Sequence, residues 1–87
     1  MQITEIKERI KVRADFDANG QIAPLLFRRK GQETFRVTRI NSSWEDKAQR
    51  NKLLYFSVNV DRSNDVFQLC YRDEDRTWRL ECVMMDG

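Results

Sequence analysis

Histidine is absent from this 87-residue chain, cysteine occurs twice, glycine three times and proline once. The lack of histidine removes the commonest general base near neutral pH and the commonest transition-metal ligand. The two thiols, Cys70 and Cys82, are far from a Cys-x-x-Cys spacing, so neither a zinc site nor a redox pair is expected. Long apolar runs are lacking as well. The longest, Ile22 to Phe27, contains Pro24 and is far shorter than the roughly 20 residues a membrane-spanning helix needs. Met1 to Glu5 shows no basic start leading into an apolar stretch, so no secretory signal is read and a cytoplasmic protein is the expectation.

What the chain does have suffices for one modest core: 40% hydrophobic residues, including five Phe, two Trp and two Tyr, against 34% charged. A sheet with one buried and one solvated face reconciles the two figures. The net charge of +2 hides a polarity. Residues 22–40 carry Arg28, Arg29, Lys30, Arg36 and Arg39 against Glu33 alone, whereas residues 61–87 hold four arginines against seven carboxylates.

Apolar residues recur at a period of two from Arg9 onward, the mark of half-buried strands. Ile10, Val12, Ala14 and Phe16 alternate with Lys11, Arg13 and Asp15. Asn19-Gly20 then predicts a two-residue type I′ turn, in which both central residues need φ > 0. That turn sets Phe16 opposite Ala23, Ala14 opposite Leu25 and Val12 opposite Phe27, with Pro24 on the other face. A three-residue hairpin at Lys30, Gly31 and Gln32, with glycine at or near its left-handed position, pairs Phe27 with Phe35 and Leu25 with Val37. Residues 41–52 lose the alternation and read as a loop, within which Ser42 and Glu45 have the spacing of a capping box for one helical turn.

Leu54, Phe56, Val58 and Val60 restore the pattern, and a four-residue turn over Asp61 to Asn64 pairs Val58 with Phe67 and Phe56 with Leu69. The last turn, Asp73 to Arg76, pairs Tyr71 with Trp78, Leu69 with Leu80 and Phe67 with Cys82. This register puts Cys82 on the core face and Cys70 outside near Arg79, so the two stay free thiols. Residues 1–8 are set apart as an N-terminal arm, open between a frayed segment, a short helix and an extension of the first strand, and residues 9–87 form the domain. The expected fold is all-β: a small antiparallel six-stranded meander, curled into a barrel (SH3-like or similar) because no helix is long enough to cover an open sheet.

The acidic run Asp73-Glu74-Asp75 reads as a solvated turn, since nothing there forms a pocket that would shift a pKa. Among the aromatics, Trp44 and Tyr55 fall outside the core phase and are available to a ligand. The outer face of the first three strands collects Lys11, Arg13, Arg28 and Arg36, with Lys11 directly across from Arg28 and Lys30 in the turn beyond. Like charges set opposite each other repel, which an overlying anion such as a phosphate backbone accounts for; a plain solvated face is the other reading. On the remaining strands Tyr55, Val66 and Val83, with Val66 opposite Val83, form a weak apolar strip suited to a protein contact or a homodimer.

Ile10-Lys11-Val12, Phe27 shortly before Gly31, Phe35-Arg36-Val37, Trp44, Tyr55-Phe56-Ser57-Val58, Tyr71-Arg72-Asp73 and Trp78-Arg79-Leu80 span nearly the whole chain. Together they resemble a bacterial family of small domains of unknown function, found alone and, in some bacteria, similar to the C-terminal tail of Y-family polymerase-like mutagenesis proteins. The chain departs from that pattern at Arg29, where the family usually has an aromatic, and by one extra residue between Gly31 and Phe35. The resemblance implies no known catalytic residue and, by analogy, a DNA-repair or polymerase-type partner. The expectation is a non-enzymatic module, without cofactor or metal, that binds nucleic acid weakly and without sequence preference through Lys11, Arg13, Arg28, Lys30 and Arg36. The alternative is a protein-interaction domain or homodimerising adaptor.

Overall fold

The computed structural model describes residues 2–48 and 51–85. Its six strands are β1 (Gln2–Phe16), β2 (Ile22–Arg28), β3 (Thr34–Ala48), β4 (Asn51–Val60), β5 (Ser63–Arg72) and β6 (Thr77–Met85). Each pairs antiparallel with the next and β1 returns to β6, so the predicted meander closes in a ring. No helix among the described residues is long and apolar enough to cross a membrane.

The two 15-residue strands are the corners of this ring. β1 pairs with β6 through Gln2–Ile10 and with β2 through Lys11–Phe16. β3 pairs with β2 through Thr34–Arg36 and with β4 through Val37–Ala48. A strand that serves two sheets must bend, and register slips supply the bend. In β1 the slip lies between Glu5 and Glu8, where Lys7 takes a left-handed φ of 53°; β3 slips between Val37 and Arg39 and again between Ile40 and Ser42.

Inward side chains form two aromatic groups joined by aliphatic residues. Phe27, Phe35 and Phe67 meet with ring centroids 5.2 to 5.5 Å apart, and Trp78 lies 5.0 Å from Tyr71 and 5.7 Å from Phe56. Val58, Leu69 and Leu80 between them are wholly buried.

Several expectations are corrected, each for a local reason. Residues 2–8 are the half of β1 that closes the ring rather than an arm. Burial alternates there as elsewhere, but the inward positions include Thr4 and Glu8, so apolarity does not report them. In the first hairpin Val12 pairs with Phe27 as predicted, then Leu25 is an extra residue, and Ala14 meets Pro24 while Phe16 meets Ile22. The turn is wider than type I′: Asp17 N–H donates to the Gln21 carbonyl, and only Gly20, at φ 81°, is left-handed. Asp17 is the cause, since its Oδ1 accepts from the N–H groups of Asn19 (2.9 Å) and Gln21 (2.8 Å). Pro24 is consequently buried in place of Leu25, which is 39% exposed, and Phe16 at the tip is 63% exposed. A residue without an N–H suits such a break in the ladder.

Residues 41–52 are not a loop with a helical turn but a ribbon, Ser42–Ala48 paired with Asn51–Ser57; positions 49 and 50 lie outside the described residues. Among the described residues β3 has no strand partner there on the side away from β4, so its exposed polar residues follow no two-residue period. The β4–β5 pairing is as predicted, with a tighter turn in which Val60 meets Ser63. In the last hairpin Tyr71–Trp78 and Leu69–Leu80 stand, after which Glu81 is extra, so Phe67 pairs with Val83 and Gln68 with Cys82. Val83 therefore enters the core, and Cys82 sits outside, donating to Gln68 Oε1 over 3.7 Å. Both cysteines are free and on the outer face, not on opposite faces as the sequence suggests.

Candidate functional site

Alternation along β1, β2 and β3 turns Lys11, Arg13, Arg28 and Arg36 outward, and all four are exposed. Lys11 lies directly opposite Arg28, while Arg13 and Arg36 flank Leu26 from the two sides. Arg28 Nε donates to Thr34 Oγ1 over 3.2 Å. Asp61 Oδ1 accepts the backbone N–H of Arg36 at 3.1 Å, which ties down the strand and not the guanidinium. None of the four side chains makes an ion pair among the described residues.

At Ile10 and Lys11 β1 leaves β6 for β2, and a cleft of about 770 Å³ opens between β1 and the β2–β3 turn. Ile6 and Ile10 give it an apolar floor; Lys7, Arg9, Lys11, Arg28, Arg29 and Lys30 surround it. Glu8 lines it as well. The carboxylate takes Arg29 Nη2 at 3.1 Å, Arg29 Nε at 3.3 Å and the Lys30 N–H at 3.0 Å. The Arg29 hydrogen bond, helped by the Lys30 N–H, holds the Glu8 carboxyl below its ordinary pKa. Arg29 is thereby neutralised, and the positive field comes from the remaining cations.

Sequence reasoning anticipated Lys11, Arg28 and Lys30, which the cleft brings together, and Arg13 and Arg36, which stand one residue pair along the same face. It missed Lys7, Arg9 and Arg29. The signal was present, since Lys7, Arg9, Lys11 and Arg13 occupy every second position, a cationic alternation as regular as the apolar one. Closure adds one thing no local pattern contains: Arg9 lies directly opposite Arg79 across the β1–β6 pair.

The predicted apolar strip does not form, because Val83 is in the core and Val66 faces Met84. Tyr55 instead stacks on Trp44 with centroids 5.4 Å apart and planes 11° apart. Beside it a small cavity of about 210 Å³ holds Cys70, Arg79 and Glu81. Burial pushes both the Cys70 thiol and the Tyr55 phenol above their ordinary pKa values, so the thiol is a poor nucleophile at neutral pH. Asp73, Glu74 and Asp75 occupy the β5–β6 turn, where Asp75 accepts from Thr77 Oγ1 at 2.7 Å and lies 3.9 Å from Arg72. No protein-family model, curated protein or solved structure matches the chain.

Proposed function

We propose that this protein is a non-enzymatic module that binds nucleic acid weakly and without sequence preference, with the phosphate backbone lying over the cleft and the outer face of β1–β3. The observation that carries this reading is the pair of like-charge contacts, Lys11 opposite Arg28 and Arg9 opposite Arg79, whose cations have no carboxylate at ion-pair distance among the described residues. Directly opposed like charges destabilise a sheet, and a polyanion relieves the repulsion while releasing its counterions. The cations stand on the outer face of strands rather than on an element shaped to enter a groove, so contact to phosphate, rather than to sequence, is the expected mode. By analogy with the family that the sequence resembles, the partner is a DNA-repair or polymerase-type protein.

Fluorescence anisotropy with labelled oligonucleotides at low salt tests the reading. A Kd on the order of 10⁻⁶ to 10⁻⁴ M is expected at physiological salt, the range of non-specific contacts, and a tighter one at low salt. Arg28→Glu should weaken it for every sequence alike; no binding, or binding indifferent to that change, overturns the proposal.

A second reading rests on β3, whose residues beyond Arg36 pair, among the described residues, with β4 alone and so leave an open strand edge for another chain or a second copy. Two register slips and the charged Glu45, Asp46 and Lys47 guard that edge, which is why it ranks second. Concentration-independent monomers in sedimentation would remove the homodimer form of it.

A further inference from the structure

The exposed tryptophan extends the basic surface into a track. Along outward-alternating positions one row of cross-strand partners runs around the ring: Trp44 opposite Tyr55, Tyr55 opposite Cys70, which is buried, Cys70 opposite Arg79, and Arg79 opposite Arg9. At the usual inter-strand spacing these four steps cover about 19 Å. One end of the row is aromatic and the other cationic, and Lys11, two residues beyond Arg9 on the same face, leads on to Arg28 and the cleft.

Trp44 is the feature that needs an explanation. It is 43% exposed, yet its ring is held parallel to Tyr55, so one π face is covered and the other is presented on a fixed platform. The pair stabilises the ribbon as a cross-strand aromatic contact, but that contact uses only one face of the indole. We propose that Trp44 is a stacking platform for an unpaired base and that the ligand of the basic surface is single-stranded nucleic acid, its backbone following Arg79 and Arg9 towards Lys11 and Arg28. This rests on the nucleic-acid reading above and specifies its substrate class. In a duplex the π faces are already occupied by neighbouring bases, whereas a single strand can offer a base to an aromatic ring and its phosphates to the cations. Glu81 is the one carboxylate lining the cavity beside Arg79 and Asp46 acts on Tyr55 at the aromatic end, while the residues of the row itself are aromatic, thiol or cationic.

The test uses the whole chain with labelled oligothymidylate, which has no secondary structure, and a duplex of the same length. Unmodified protein should bind the single strand more tightly than the duplex and lose tryptophan emission on titration. Trp78 is in the core, so the quenching reports Trp44. Trp44→Ala should weaken single-strand binding roughly tenfold, the size of one stacked base, and abolish the preference over duplex. Trp44→Phe keeps an aromatic ring should the alanine variant unfold, and should retain most of the affinity while losing the quenching. Equal binding of both ligands, unquenched emission at saturation, or a Trp44→Ala protein that folds and binds like the parent overturns the inference and leaves the basic cleft intact. Failure to bind either oligonucleotide at low salt removes the cleft reading too.

Discussion

Gln32 holds a left-handed φ of 71° in the β2–β3 turn, while Gly31 beside it has an ordinary φ and open space where a Cβ would go. The glycine is one position from where the backbone would use it. A left-handed conformation costs an L-residue about 1–2 kcal/mol, against roughly 0.5–1 kcal/mol of extra entropy lost by glycine. Gln32→Gly should therefore raise stability in urea denaturation by about 0.5 to 1 kcal/mol, and Gly31→Ala should cost nothing. Glu8 is the other residue whose effect can be signed in advance. Its folded pKa is depressed, so its contribution is complete above the unfolded carboxylate pKa and is lost as pH falls through the lower folded value. Glu8→Gln should cost about 1 kcal/mol at neutral pH, since it weakens charge-assisted bonds that are partly solvated. The gap between the two proteins should close in acid denaturation only below the ordinary carboxylate range.

At the scale of elements, legibility followed coverage. Strands with one face on the core, such as β4 and β5, carry their register in their apolar residues: Phe56 with Leu69 and Val58 with Phe67 were readable in advance. Where a strand has no covered face the same method finds nothing, as in the β3 half of the ribbon; over residues 2–8, where inward Thr4 and Glu8 interrupt the apolar pattern, it leaves the strand as one of three open readings. The single-residue slips at Leu25 and Glu81 were invisible, because a bulge changes the face of a side chain without changing its type. Val83 and Cys82 exchanged places for that reason. The N-terminal half of β1 gives the clearest test. Deleting residues 1–8 should abolish the cooperative thermal transition followed by circular dichroism, because β6 loses its β1 partner from Leu80 to Met85 and the ring opens. An unchanged midpoint would mean that these residues are an arm after all.

For the whole molecule, the question is what the positive surface is worth in salt. Each phosphate neutralised on a duplex contributes about 0.9 to the slope of log K against log salt, and about 0.7 on a single strand. With Arg9, Lys11, Arg28 and Arg79 on one track, the slope for the unmodified protein should be near −3 with oligothymidylate, as four such contacts give. Arg28→Glu should flatten it by about one contact. A slope near zero would mean that the cations face only solvent.

Period-two alternation, available in the sequence alone, determined the all-β class, the order of the hairpins, most of the core and the outward direction of Lys11, Arg13, Arg28 and Arg36, because strand pleat converts spacing directly into facing. The sequence points to a closed ring, but the register of β1 on β6 was decided only in three dimensions. That contact joins residues about seventy positions apart and places Arg9 against Arg79, and it sets β1 free of β2 at the point where the cleft opens. Local patterns say which way a side chain points; only the ring says what lies across from it.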